Sequence, residues 1–583
     1  MNLLFVLVVS IAVLLLGYIF YGRFIEKTFD VDGSHVAPAV EFQDDVDYVP
    51  THKVVIFGHH FASIAGGGPI IGPCVGLVFG FLPVWLWILL GTVFIGAVHD
   101  YSVLLASMRE KGRSIAEIAE KTLGRSGFLL FIGFTIIMLL MVTSVFLTLT
   151  TTALASKYPV AFFGAGDIGL RTVVENGVSY AVIGGIASTS VIIITLCSPL
   201  LGFLLYKRKV KVWIMALVSI FTCVVSIEIG LMFPIKMDPF IWMIILSVYT
   251  IFAAGVPVWI VLQPRDFTNS FLLYGGVLGM LTGSLILAFQ GTVVEAPMFN
   301  LAMGSRQLGY VWPILFITVA CGAISGFHSL VAGGTTAKQV MSEKPDSRMV
   351  AYGGMALEAF LALMVIIAIG CGLSYDQLCT IVFPTDAAVK SNPVLAFALG
   401  VGGLMNRAVG LPIVYGAVFG ILMVEGFVVT TLDTAVRLNR YLFEELWGMI
   451  FKNVPKIFKS YIFNSFLCVA MMFILAYYNA FKQLWNLFGA ANQLLAALAL
   501  ITVSIWLLKK GKQYLFVMVP GIFMLITTIA ALFFILFKHY IPKGNWMLSI
   551  GDIILLLLSV GVVFLCSKQF IRIRKAAAQN GGR

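Results

Sequence analysis

The sequence predicts an all-α, polytopic membrane protein of about 15 transmembrane helices around a core of two inverted five-helix repeats. Three observations carry that prediction. Of 583 residues, 60% are hydrophobic and 11% charged, with a mean hydropathy of +1.01, whereas soluble domains carry about 25% charged residues. Apolar runs of about 20 residues, the length that crosses a bilayer, succeed one another along most of the chain. Two of those runs, the second and the seventh, are interrupted by Gly and Pro.

The runs fall at 3–20, 54–80, 82–106, 128–152, 180–206, 211–233, 240–262, 271–291, 311–333, 350–373, 410–431, 462–480, 484–507, 514–536 and 547–566. The first lacks a basic leader and a cleavage site, so it reads as a membrane helix and not as a signal peptide. The longest polar connections are 21–53, 153–179, 374–409 and 433–460. Most Lys and Arg fall on one side when spans alternate, which places the C-terminus in the cytoplasm and the N-terminus outside. The acid-rich connection with Asp44, Asp45 and Asp47 fits that side least well, but acidic residues count little in the rule. The net charge of +11 reflects basic loops, not nucleic-acid binding, and the eight scattered Cys show no CxxC pair and no metal spacing.

In the second run, His59 and His60 precede Gly66-Gly67-Gly68-Pro69. A helix cannot run smoothly through such a stretch, because Gly is a poor helix former and Pro lacks the N–H. At membrane depth a broken backbone survives only where protein or a watery cavity satisfies it. The seventh run carries Gly255-Val256-Pro257. By the charge rule the two runs cross in opposite directions, the pointer to an inverted repeat with a central binding site. The chain then divides into 1–53 (first helix and cytoplasmic loop), 54–233 and 240–432 (the two repeats), 433–460 (cytoplasmic linker) and 461–583 (C-terminal helices and tail).

Ionisable residues inside such spans are rare and face partners or cavities. Successive helix positions point about 100° apart, so one of His59 and His60 faces the cavity. Asp100 and Glu358 are candidate proton or cation sites, with helix-helix bonding as the plainer alternative. Ser325, His328 and Ser329 form a dense hydroxyl and imidazole group that reads either as close helix packing or as a cation or proton site. Arg265, followed by Asp266, is placed to pair with it or with Asp433 as an inner gate, while Asp433 and Arg437 stand at helical i,i+4 spacing. Glu425 flanks the inner end of its span, and Asn492 with Gln493 reads as an interhelical hydrogen-bonding pair outside the repeats. No nucleophile elbow, zinc-protease motif or Walker A motif is present, so no enzymatic chemistry is expected.

Taken together, residues 57–72, GAVHDY (96–101), QPRDFTNSFL (263–272), ACGAISGFHSLVAGGTTAK (320–338), TTLDTAVRLNR (430–440) and FGAANQLLAAL (488–498) resemble the carbon starvation protein A family. Gly66-Gly67-Gly68-Pro69 stands where many relatives read Gly-Pro-Gly-Pro. The resemblance implies a bacterial inner-membrane importer with a five-plus-five core like that of the amino acid–polyamine–organocation superfamily. It implies proton-driven uptake of pyruvate or short peptides during carbon starvation, without a cofactor. Substrate would lie against His59, His60, Gly66, Gly67, Gly68, Gly255 and Pro257. Asp100, Ser325, His328, Ser329 and Glu358 would serve as relay or ion site, and Arg265, Asp266 and Asp433 as gate. A sodium-coupled importer and a membrane-embedded metabolite sensor are the alternatives.

Overall fold

An apolar segment in lipid must satisfy its own backbone, which selects helices. The computed structural model, which describes residues 1–44, 48–160, 172–175, 177–257, 259–385, 391–479 and 481–580, is accordingly a bundle of long helices. Asp45 and Asp47 lie outside the described residues. Among those described, twelve helices are long and apolar enough to cross a membrane, and a bent pair, Lys53–Ile64 with Gly68–Phe79, makes thirteen. The protein is therefore a multi-pass membrane protein, with fewer full-length spans than the expected 15.

Two expected spans account for the shortfall. Helix Pro239–Ala253 has 15 residues and ends before Gly255, so Gly255 and Pro257 mark a helix end and connection, not a break within a span. Gly/Pro chemistry serves both purposes. The run at 311–333 is itself broken: helical turns at Val311–Leu315 and Phe316–Thr318 give way to non-helical chain, and Phe327–Gly334 resumes. Conversely, Pro393–Val409, expected as part of a polar connection, is a short apolar helix capped by Asn392, whose side chain accepts from the Leu395 amide at 3.0 Å.

The helices sort by burial. Of the twelve candidate spans Gln483–Lys509 is the most enclosed, with 94% of its apolar window buried, against 28% for Val212–Met232 at the periphery. Ile413–Ile450 continues through the start of the expected linker as one helix of 38 residues, about 57 Å at 1.5 Å per residue and so longer than the bilayer core. It packs on Arg125–Leu154, Leu262–Phe289 and Pro393–Val409. Between Arg125–Leu154 and Ile183–Lys207 lies a small antiparallel sheet of Tyr158–Pro159, Thr172–Glu175 and Val178–Ala181, with the last strand in the middle. Outside the spans, Arg109 ties the end of Phe81–Arg109 to Glu343 through Nε and Nη2 at 2.6 and 2.9 Å.

Candidate functional site

The two broken elements meet. The first helix half stops at Ile64, and the second starts at Gly68 with Pro69 in its first turn. The amides of Gly67 and Gly68 make no hydrogen bond to other described residues, so the N-terminal end of this half-helix keeps free N–H groups and the positive end of its dipole. A Cβ on Gly66 would lie 2.7 Å from Oγ1 of Thr431, so only glycine lets this turn approach the long Ile413–Ile450 helix. Across from it runs the non-helical chain 319–326. Carbonyls of this segment and of the turn before it are taken by side chains from two helices: from Phe81–Arg109, Trp87 Nε1 donates to Val319 O at 3.0 Å and Thr92 Oγ1 to Gly322 O at 3.3 Å, and from Gln483–Lys509, Gln493 Nε2 donates to Phe316 O.

Between the breaks is a cavity lined by Ile64, Gly66, Gly68, Cys321, Ser325 and Thr431, and roofed by Val142, Phe146, Phe327 and Phe488. Phe146 and Phe488 meet edge to face with centroids 5.9 Å apart. The cavity admits about one water molecule. Thr431 Oγ1 is buried without a hydrogen-bond partner among the described residues.

One turn along from Ser325 is a chain of buried titratable groups on three helices. His99 Nδ1 lies 2.7 Å from Asp100 Oδ1, and His328 Nδ1 lies 2.8 Å from Asp100 Oδ2. His328 Nε2 is 3.2 Å from Glu358 Oε2, within ion-pair distance, although neither atom is aligned for a hydrogen bond. All four side chains are fully buried. The contacts from His99 to Asp100 and from Asp100 to His328 are at hydrogen-bond distance, the geometry that direct proton exchange requires.

On the opposite flank, beside Thr430 and Thr431, Arg265 Nη1 pairs with Asp433 Oδ2 at 2.7 Å. Tyr249 accepts from Arg265 Nη1 at 2.7 Å and donates to Asp433 Oδ2 at 2.9 Å. Asp266 stands 3.9 Å from Arg265 Nη2. Arg437 does not form the expected i,i+4 pair with Asp433; it donates to the Ala253 and Val256 carbonyls, closing the helix end that precedes Pro257.

The structure thus gathers Gly66, Gly68 and Ser325 at the cavity, Asp100, His328 and Glu358 beside it, and Arg265, Asp266 and Asp433 in one cluster. Gly67 sits against Val428. Four expected substrate contacts lie elsewhere. His59 is half-buried, with its carbonyl accepting from Ser63 Oγ. His60 is fully buried but bonds Thr336 Oγ1 through Nδ1 at 2.8 Å. Its imidazole packs on Gly354, where a Cβ would lie 3.1 Å from the ring. Gly255 lies under the Tyr461 ring and Pro257 is exposed, neither of them on the cavity. Ser329 bonds back to Gly326 O at 2.6 Å, a local role. Glu425 is fully buried, and neither carboxyl oxygen has a hydrogen-bond partner among the described residues. Cys321, Thr431, Phe146 and Phe488 line the site without having been singled out; uncharged residues carry no cost signal in an apolar sequence.

Compared with known proteins, residues 2–375 and 373–531 match the family profile described as carbon starvation protein CstA. The peptide transporter CstA of Bacillus subtilis (strain 168) is 31% identical, over 90% of this chain and 89% of that protein. The pyruvate/proton symporter BtsT of Escherichia coli (strain K12) is 30% identical, over 91% of this chain and 81% of that one. The peptide transporter CstA of the same strain is also 30% identical, over 91% and 80%. Among solved structures, a manganese transporter of Eremococcus coleocola aligns over 91% of this chain and 99% of its own, at 11% identity and a TM-score of 0.48, too loose a likeness to carry an argument.

Proposed function

The chain belongs to the carbon starvation protein CstA family, and from that premise we propose that it is a secondary active importer, coupled to protons, of a small carboxylate such as pyruvate or of short peptides, in the inner membrane of a bacterium. The observation that supports this most is the adjacency of two features: free half-helix amides at Gly67 and Gly68, and a buried chain from His99 through Asp100 and His328 to Glu358.

A carboxylate is the ligand that such amides and a helix N-terminus favour, and both pyruvate and peptides carry one. In this reading the carboxylate sits on Gly67 and Gly68, the Thr431 hydroxyl donates to it, and Phe146 and Phe488 keep water out. A proton held on the Asp100–His328–Glu358 chain balances the charge that the anion brings into a low-dielectric site. Release toward one side frees substrate and proton together, which is symport. The Arg265–Asp433 pair, with Tyr249 and Asp266, closes one side and must part for that side to open. Facing breaks are the pattern an inverted repeat produces around its substrate, and the second half would then open with the 311–334 segment.

The test is uptake of labelled pyruvate, and of a panel of labelled dipeptides, into proteoliposomes under an imposed pH gradient or an imposed sodium gradient. Accumulation driven by the pH gradient is the expected result. Accumulation driven by sodium alone would replace the coupling ion. Binding without movement of any substrate would overturn the transporter reading in favour of a sensor.

A further inference from the structure

Helix Gln483–Lys509 lies outside the two five-helix units expected from the sequence, yet it is the most enclosed of the twelve candidate spans. Its enclosure has a local cause. Gly489 abuts the Ile317 carbonyl, and a Cβ on Gly326 would strike the backbone carbonyl of Asn492. The broken chain 319–326 is therefore pressed directly onto this helix. At the point of contact sits Asn492, fully buried.

The amide of Asn492 uses every hydrogen-bonding capacity it has. Its Nδ2 donates to Ser325 Oγ at 3.0 Å and to Cys321 Sγ at 3.3 Å. Its Oδ1 accepts from the Phe327 amide at 2.9 Å and from Ser325 Oγ at 3.3 Å, while its backbone carbonyl accepts from the Gly326 amide at 3.1 Å. On one side these partners are cavity wall, Cys321 and Ser325. On the other they are the first turn of Phe327–Gly334, whose second residue is His328, bonded to Asp100. No other side chain among the described residues bonds both.

We propose that Asn492 is a positioning residue that couples the cavity to the proton chain: a shift of Ser325 or Cys321 on substrate binding is passed through its amide to the turn that carries His328. Helix Gln483–Lys509 is then part of the transport machinery. The inference rests on the transporter reading for its consequence, but its geometry can be tested without it. Neither neighbouring amino acid can substitute. Asp keeps the acceptor but loses both donors and adds a buried charge, and Gln sets the amide one methylene away from all four contacts.

Cys321 supplies a reporter. In a chain whose other seven cysteines are replaced by Ser or Ala, Cys321 is labelled with N-ethylmaleimide in wild type, Asn492→Ala, Asn492→Asp and the control Ser504→Ala. Ser504 is buried on the same helix and bonds only Leu500 O of its own helix. Labelling about tenfold faster in both Asn492 variants, with the control unchanged, is expected from loss of hydrogen bonds that hold the segment. For uptake, the KM for pyruvate rises about tenfold and the pH profile moves in the Asn492 variants, whereas Ser504→Ala changes neither. Unchanged Cys321 labelling overturns the proposal, as does an unchanged pH profile in a variant that still transports. If wild type moves neither pyruvate nor dipeptides, the transporter reading fails and the labelling result alone decides the role of Asn492.

Discussion

Arg265 reaches Asp433 on a different helix, Nη1 to Oδ2 at 2.7 Å, with both side chains almost wholly out of contact with solvent. The two residues are 168 positions apart, and their pairing joins Leu262–Phe289 to Ile413–Ile450 one turn from the cavity wall at Thr431. A pair this buried adds little net stability compared with an apolar pair of similar volume, but breaking it by removing one partner is costly. In the importer proposed above, this pair would be the element that opens and closes.

That asymmetry gives the first prediction. Arg265→Met alone leaves Asp433 and Asp266 buried without their cation and should cost about 3–5 kcal/mol, read as a large drop in melting temperature in detergent. The double variant Arg265→Met/Asp433→Leu should recover most of that loss. Uptake should stay low in both, at a tenth of wild type or less. A double variant that transports normally would remove the pair from the gate.

The contact of Gly66 with Thr431 gives the second. Gly66→Ala places a methyl 2.7 Å from Thr431 Oγ1, an overpacking of about 1–3 kcal/mol at the turn that lines the cavity. Uptake should fall well before the protein unfolds. Gly66→Ala/Thr431→Ala should restore part of the melting temperature lost by the single variant, because the second change removes Oγ1 and Cγ2, the two atoms the new methyl meets most closely, while uptake stays low without the Thr431 hydroxyl. Failure of the double variant to exceed the single in melting temperature would mean that Gly66 is needed for its backbone conformation and not for the approach.

Much of this site is legible in the sequence, and the reason differs by residue. Asp100, His328 and Glu358 announce themselves because an ionisable side chain in an apolar span is costly and has few structural uses. Arg265 and Asp433 are legible as charges, and their pairing was one of two options. The first break is legible because Pro69 follows three glycines. The second break, 319–326, has no proline, and its glycines are spaced so that they resemble helix-packing positions. Gly255-Val256-Pro257 carries the stronger local signal but only ends a helix, since the same residues serve as stop and as break. Pro393–Val409 escaped because it is short and its closing residues, Asn406 and Arg407, dilute its hydropathy. Asn492 was readable as an interhelical amide; that it clamps the broken chain depends on a fold in which 167 residues separate it from Ser325.

Outside the membrane, the third prediction concerns Glu110. Partial burial pushes its carboxyl up, but the Lys121 ammonium at 2.5 Å and the Trp506 indole N–H at 2.9 Å outweigh it and hold the group below its usual range. A carboxyl depressed in the folded state stabilises fully above its unfolded value and loses that contribution as pH falls through the folded one. Since Lys121 is partly exposed, the contribution is about 1 kcal/mol or less. Glu110→Gln should therefore lower the melting temperature slightly at pH 7 and not at all below about pH 3. An equal difference at both values would mean that charge plays no part.

The fourth prediction separates proton coupling from substrate binding. His328 bridges Asp100 and Glu358, and no other described side chain is hydrogen-bonded or ion-paired to both carboxylates. His328→Gln keeps a polar side chain of similar size but cannot carry an exchangeable charge. Accumulation driven by a pH gradient should fall about 100-fold or more, the scale expected when a positioned proton-transfer group is removed. Exchange of external for internal labelled substrate at equal pH needs no net proton movement and should survive within a few-fold. Glu358→Gln should show the same split, because the imidazole then has no second carboxylate to discharge to. If His328→Gln abolishes exchange as well, the histidine holds substrate or the fold, and the relay must run through other groups. If driven accumulation persists in both variants, the buried chain is structural and the proton enters with the substrate itself.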